Sequence, residues 1–358
     1  MVKILHAAET IKGGVATVIS TISNPPNDNS DKYELLYLVP EDQKGELGNI
    51  DAQTINTFHR SGRNLFSLLN FWIQLFKIIL KEKPDVVHLH STFAGVLGRM
   101  ACLALKPWVK AKVIYCPHAF SFLMKSSPLK QKLYSILERT LQHVTDEIIC
   151  VSKYEINAAE SFGINRKKMK LIYNGVHPKD INPTINPDTP IKLLFVGRLD
   201  FQKGFDVLIK AYQLANRNDI SLTAVGSAVN ESAQELPQID SIQYLSWVPA
   251  TQVQEIYKTA DILVVPSRWE GFAMVPLEGM SMGLAVISSD CTSLPEVVID
   301  NVTGYTFPSG DHLALAKIIS SLDKVKIHQL SKNAQQLVNE KFNASKMIEE
   351  TFESYITH

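Results

Sequence analysis

The sequence predicts an α/β protein built from two Rossmann-like, doubly wound domains, each a parallel sheet with helices on both faces. Three observations carry that prediction. Short apolar runs alternate with segments of helical period along most of the chain, the pattern of successive βαβ units. The alternation breaks at 178–190, where four prolines stand in a stretch with no periodicity. Finally, 358 residues exceed what one typical core organises.

In the first half, strands are expected at 2–6, 35–39, 86–90, 112–116, 147–151 and 170–173, with helices between them, for example at 15–22, 65–81 and 129–143. The second half restarts the pattern with strands at 191–196, 221–225, 242–245, 262–265 and 285–288. Helices follow Gly204, start near Thr251 and Val275, and fill the tail from Lys326. The expected domains are 1–178 and 191–342, joined by a linker at 179–190. A last helix at about 343–358 is expected to pack back on the first domain. Two such domains would leave a cleft between the carboxyl ends of their strands, where open α/β sheets bind ligands.

Composition sets limits. The hydrophobic share of 45% and charged share of 20% describe an ordinary globular chain. The net charge is zero but uneven: residues 1–178 carry 22 Lys and Arg against 15 Asp and Glu, or +7, and the rest carry 14 against 21, or −7. The halves therefore suit different partners. Met1-Val-Lys-Ile-Leu-His leads directly into polar sequence, so no signal peptide is expected, and no apolar run reaches the ~18 residues of a membrane span. Cys102, Cys116, Cys150 and Cys291 have no metal-binding spacing and read as free thiols of a reducing cytoplasm.

The chemistry concentrates in the second half. Val196-Gly-Arg-Leu-Asp-Phe-Gln-Lys-Gly204 sets Arg198 and Lys203 in one strand-to-helix loop. Two fixed cations there suit a diphosphate, although a solvated loop is the plain alternative. Downstream, Glu270 and Glu278 stand eight residues apart in Ser267-Arg-Trp-Glu-Gly-Phe-Ala-Met-Val-Pro-Leu-Glu278. Carboxylates accept hydrogen bonds from sugar and ribose hydroxyls, so the four residues together fit a sugar nucleotide. Gly271 permits close backbone approach, and the amides of Phe272, Ala273 and Met274 open a helix that suits an anion or a hydroxyl. A hydrolytic carboxylate pair fits poorly, because eight helical residues span ~12 Å.

These residues, in this order, resemble the retaining glycosyltransferases of family 4, whose two Rossmann-like domains form the GT-B fold. The likeness covers nearly the whole chain: Gly13-Gly14, Asp85-Val-Val-His-Leu-His90, Pro117-His118, Asn174-Gly-Val176, Val196-Gly-Arg-Leu199, Lys203-Gly204, Glu270 with Glu278, and Leu294-Pro-Glu-Val297. The chain departs from the family pattern at Ala273, where Glu-Gly-Phe-Gly is common, and at Thr292-Ser293, where Gly-Gly is common.

The resemblance implies a catalytic set of Arg198, Lys203, Glu270 and His118. It implies donor contacts from Gly13, Gly14, Gly271, Phe272, Ala273, Met274, Glu278 and Glu296, with backbone near Trp247 meeting the base. It implies no metal and no cofactor beyond the nucleotide-sugar donor. Transfer of a hexose to a saccharide acceptor, lipid-linked in bacterial surface polysaccharide assembly, is the expected reaction. An epimerase or phosphorylase on the same fold, or a non-catalytic sugar-nucleotide binder, stays open. His88 and His90 alternate on one strand, and no third ligand stands at a zinc-site spacing, so they are expected to pack.

Residues 99–139 hold eight Lys or Arg, namely Arg99, Lys106, Lys110, Lys112, Lys125, Lys130, Lys132 and Arg139, against the single acid Glu138. Trp108, Phe120, Phe122, Leu123 and Met124 are interleaved. This reads as a surface for anionic lipid headgroups, and hence a cytoplasmic protein peripheral on the inner membrane face; a merely solvated basic face is the alternative. No nucleic-acid-binding motif is present.

Overall fold

The computed structural model describes the chain except residues 27–30, 49, 125–126, 182–188, 228–238, 240 and 357–358. Most of the linker segment and Lys125 thus lie outside the described residues. By contact the chain forms two units, Met1–Asn174 with Ala344–His358, and Gly175–Asn343.

In the first unit the strands are β1 (Val2–Ala8), β2 (Tyr33–Pro40), β3 (Ile55–Phe58), β4 (Val86–His90), β5 (Lys112–Cys116), β6 (Glu147–Cys150) and β7 (Met169–Leu171). They form one sheet in the order β3-β2-β1-β4-β5-β6-β7, every pair parallel. Five helices follow strands: α1 (Gly14–Ile22), α2 (Leu65–Glu82), α3 (Thr92–Leu105), α4 (Pro128–Leu141) and α5 (Lys153–Ser161). Alternation sorts the faces. Leu5, Ala7, Val87 and Leu89 join Phe71, Leu75 and Ala101 in one core cluster, while His6, His88 and His90 point to the opposite face.

The second unit carries β8 (Ile191–Val196), β9 (Ile220–Val225), β10 (Ile242–Leu245), β11 (Ile262–Val265), β12 (Ala285–Ser289) and β13 (Gly304–Phe307), parallel in the order β10-β9-β8-β11-β12-β13. Its helices are α6 (Phe205–Ala215), α7 (Ala250–Thr259), α8 (Met274–Ser281), α9 (Leu294–Val297), α10 (His312–Ser320) and α11 (Lys324–Lys341). Both sheets reverse direction of strand order beside their first strand, between β1 and β4 and between β8 and β11. Such switch points are where doubly wound sheets hold ligands.

The last helix, α12 (Ala344–Ile356), belongs to the first unit. Phe352 meets the Tyr33 ring edge-on at 4.7 Å, and Lys170 Nζ donates to Glu350 O and Ser354 Oγ, each at 2.9 Å.

The basic segment needs correction. Arg99 is fully buried, at 2.8 Å from Glu138, with its guanidinium 4.1 Å above the Tyr115 ring centroid. The contact with Glu138 is coulombic and off the hydrogen-bond direction; the directed bonds run from Arg99 Nε to Gly95 O at 2.7 Å and from Tyr115 Oη to Glu138 Oε1 at 3.0 Å. A cation this deep has to be neutralised, which is why it joins the only acid of the segment. Phe120 and Phe122 are core residues as well, stacked at 4.8 Å. Removing one partner of the pair strands the other, so Arg99→Leu should cost about 3–5 kcal/mol in denaturant unfolding, and adding Glu138→Leu should recover part of it.

Candidate active site

The second unit's switch point is organised by a glycine. Gly204 has φ +66°, and a Cβ there would sit 1.9 Å from the carbonyl oxygen of Pro266. Only glycine lets the loop after β8 lie this close to the loop after β11. Two further contacts join the loops: Arg268 N donates to Gln202 O at 2.8 Å, and the Arg268 guanidinium grips Asp206 by two bonds of 2.7 Å while lying 3.8 Å over the Phe201 ring.

This clamp brings Lys203 to Glu270. Lys203 Nζ lies 2.7 Å from Glu270 Oε1, and Ser267 Oγ donates to the same oxygen at 2.6 Å. The Glu270 side chain is only 7% exposed, so the lysine is what makes its charge tolerable. The Glu270 amide donates to Thr292 Oγ1 at 3.0 Å, which fixes the backbone. Arg198 is aimed from two sides, by Asp200 at 3.3 Å and by Gln202 Oε1 at 2.6 Å, and remains 39% exposed.

Glu278 sits on α8, where Tyr257 Oη donates to its Oε2 at 3.2 Å. Burial pushes this carboxyl above its ordinary range, and the tyrosine bond opposes the shift. Only four of the eight residues from Glu270 to Glu278 are helical before Glu278 is reached, since α8 begins at Met274; the ~12 Å expected for a continuous helix does not apply. Phe272, Ala273 and Met274 are buried, and Gly271 is half-buried. Glu296 lies in the four-residue α9, half-buried, its carbonyl accepting from Lys341 Nζ at 3.3 Å.

In the first unit Gly13 caps α1 with φ +70° and ψ −136°, a conformation open to glycine alone, and Gly14 begins that helix; both are exposed. His118 lies two residues beyond β5, half-buried, with Nε2 at 3.0 Å from His90 Nδ1. The third imidazole absent from the local spacing comes from β1: pairing of His6 with His88 places it beside both β4 histidines. A cavity of about 650 Å³ lies at the amino ends of the strands, lined by Val2, Asp85, Val86 and Lys112. That is the wrong end of a parallel sheet for the chemistry, and the switch points are the better candidates.

Two family models divide the chain: residues 13–180 match Glycosyltransferase Family 4, and residues 177–337 match Glycosyl transferases group 1. An uncharacterized 41.2 kDa protein in the cps region of Klebsiella pneumoniae is 34% identical across 98% of this chain and 99% of its own length. The chain belongs to glycosyltransferase family 4. The UDP-Gal:alpha-D-GlcNAc-diphosphoundecaprenol alpha-1,3-galactosyltransferase of Escherichia coli is 28% identical over 79% of this chain and 78% of its own. In fold, Anabaena Alr3699/HepE in complex with UDP and glucose superposes with a TM-score of 0.80 at 19% identity, covering 99% of both chains. The sucrose-phosphate synthase of Thermosynechococcus elongatus gives 0.80 at 20%, covering 99% and 98%. The architecture is thus GT-B, and the protein is a glycosyltransferase.

Seen as a family 4 enzyme, the chain's two departures differ in weight. Ala273 adopts φ −72° and ψ 121° as the cap of α8, ordinary for any residue. Thr292 has φ +45°, a left-handed conformation disfavoured for a β-branched residue, and its hydroxyl holds the Glu270 amide. The glycine common at this place in the family would carry neither strain nor hydroxyl. The sequence singled out Thr292 only as a departure and gave Ser267, Gln202 and Tyr257 no role, because their roles come from contacts across 21 to 67 residues or from a turn, with no motif spacing to mark them.

Gly204→Ala should lower stability by at least about 2 kcal/mol in thermal unfolding, because the methyl and the Pro266 carbonyl cannot share the space. Burial raises the Asp206 carboxyl pKa, but the Arg268 bonds more than offset this and hold it below the ordinary value. The pair's stabilisation is therefore present at neutral pH and disappears as pH falls below about 4. With Asp206 44% exposed, Asp206→Asn should cost about 1 kcal/mol or less at pH 7 and progressively less as pH is lowered below about 4, read from unfolding curves across that range.

Proposed function

We propose that this family 4 enzyme moves a hexose from a nucleotide sugar, UDP-linked in preference to GDP-linked, to a saccharide acceptor with retention of configuration. The observation that carries the reading is the Lys203–Glu270 pair at 2.7 Å with Arg198 in the same loop, at the carboxyl ends of β8 and β11. Arg198 and Lys203 stabilise the negative charge that grows on the diphosphate as the glycosidic bond breaks. Glu270 faces the donor sugar, and Glu278 accepts from the ribose hydroxyls. A leaving phosphate oxygen takes the proton of the attacking hydroxyl on the same face, so no separate base is required. Two cations already beside the diphosphate serve in place of a metal ion.

The acceptor is proposed to be lipid-linked, in assembly of a bacterial surface polysaccharide. The Escherichia coli relative is named for a diphosphoundecaprenol substrate and a UDP-Gal donor, and the Klebsiella pneumoniae relative for its place in a cps region. Among the described residues no helix is long and apolar enough to cross a membrane. A peripheral contact is supported by α4, where exposed Leu129, Leu133 and Ile136 follow helical spacing beside exposed Lys130 and Lys132, and by Trp108, 68% exposed between Lys106 and Lys110.

A thermal-shift panel of UDP, GDP, ADP and their hexose conjugates should raise the melting temperature with the UDP series most. Glu278→Ala should weaken that binding at least tenfold, and Arg198→Ala should lower turnover by ~10²-fold with a smaller effect on affinity. Unchanged transfer in both variants would refute the site assignment. Transfer should also persist in excess EDTA, and loss of activity that Mg²⁺ or Mn²⁺ restores would refute the metal-free mechanism.

A further inference from the structure

A buried carboxylate that the transfer chemistry does not use follows β1. Glu9 is 1% exposed, and each of its oxygens faces an arginine from the loop between β3 and α2. Arg60 Nε donates to Oε1 at 3.3 Å, and Arg63 Nε lies 3.6 Å from Oε2, a coulombic contact too long for a directed bond. In the sheet order β3-β2-β1, one strand separates the two that these residues follow. All three residues thus sit at the carboxyl end of the first sheet, where doubly wound sheets hold ligands. The loop is tied to the helix it leads into: Ser61 N donates to Ser67 Oγ at 3.1 Å, Ser67 N to Asn64 Oδ1 at 2.9 Å, and Asn70 Nδ2 to His59 O at 3.0 Å.

One arginine would neutralise Glu9; two leave a positive charge in excess. Both meet the carboxylate through Nε, and among the described residues neither uses an Nη atom in a hydrogen bond, so the outer donors of both forks remain. The Arg60 side chain is 13% exposed and that of Arg63 59%, a held cation paired with an accessible one. Guanidinium forks match the oxygens of phosphate groups, and two forks suit two such groups. The helix that starts here is apolar on its outer side as well. Leu65, Phe66, Leu69 and Ile73 are exposed on one face, while Phe71, Leu75 and Ile78 are buried on the other. Cations beside an exposed apolar helix start match an anion joined to a hydrocarbon chain.

We propose that Arg60 and Arg63, held by Glu9, bind the diphosphate of the lipid-linked acceptor, with Leu65, Phe66 and Leu69 against the start of its hydrocarbon chain. The inference rests on the reading that the acceptor is lipid-linked, and it concerns a site on the first unit alone. Glu9 is a positioning residue, because it touches the arginines and not the ligand.

Farnesyl diphosphate is a soluble probe of this site, titrated calorimetrically onto the full chain beside UDP and phosphatidylglycerol vesicles. Arg63→Gln removes the accessible fork, and Arg60→Lys keeps Glu9 neutralised but loses the fork. Each should weaken farnesyl diphosphate binding about tenfold, the scale of one charge-assisted hydrogen bond. The melting-temperature shift with UDP should stay as in the wild type, which also shows that the variants fold. In transfer assays both variants, and Glu9→Gln to a smaller degree, should raise KM for a diphosphate-linked acceptor while kcat and the donor KM change less than about threefold. Equal affinity of the wild type and both variants for farnesyl diphosphate would overturn the placement and leave a lipid-linked acceptor in force. No binding of farnesyl diphosphate by the wild type, together with transfer to a free saccharide, would overturn both. Vesicle binding lost in the same proportion would make the loop a general bilayer contact, and displacement of farnesyl diphosphate by UDP would give the arginines to the donor; either result overturns the acceptor site.

Discussion

The second unit depends on one steric fact, the absence of a side chain at Gly204. Because the loop after β8 lies against the Pro266 carbonyl, a lysine from one loop and a glutamate from the other share a hydrogen bond across 67 residues of sequence. The ion pair does not create this approach, since the backbone contact that only glycine permits already brings the two loops together. It exploits an approach that backbone packing has already fixed. The Asp206–Arg268 grip and the Gln202 bonds hold the same junction from its outer side. The two cations of this loop, Arg198 and Lys203, are thus held beside the strand ends by contacts from both loops.

The first unit solves the opposite problem, keeping polar groups out of water. Arg99 and Glu138 neutralise each other beneath α3 and α4, and Glu9, 1% exposed, lies within 3.3 Å of Arg60 and 3.6 Å of Arg63. The histidines take a third course: they remain neutral and bond to one another. These buried polar side chains draw partners from other strands and helices, although His6 Nε2 and His88 Nε2 have no hydrogen-bond partner among the described residues.

The sequence made the architecture legible because both sheets are parallel and buried, so strands such as Val86–His90 and Ile262–Val265 are compact apolar runs. Two strands escaped for the complementary reason. Ile55–Phe58 and Gly304–Phe307 close the edges of their sheets, pair on one side only, and contain as many polar or small residues as apolar ones. Arg198, Lys203, Glu270 and Glu278 were legible because they fall in two short runs at strand ends. Ser267 was visible in one of those runs, but its bond to Glu270 depends on the turn. His6 could not be placed with His90 from 84 residues away without the strand order, and Arg99 looked like a surface cation because linear charge density cannot show that its helix turns it inward.

The chain's route through α12 has a consequence for how the protein is made. During synthesis the whole second unit leaves the ribosome before Ala344–Ile356, yet that helix covers the sheet face bearing His6 and His88 and supplies Tyr355, which bonds His88 Nδ1 at 2.8 Å. Until those residues emerge, the first sheet has its strands but not its lid, and buried imidazoles meet water. The amino-terminal unit, translated first, is therefore the last to be finished, and its histidine row is assembled only in a chain whose translation has run past residue 355.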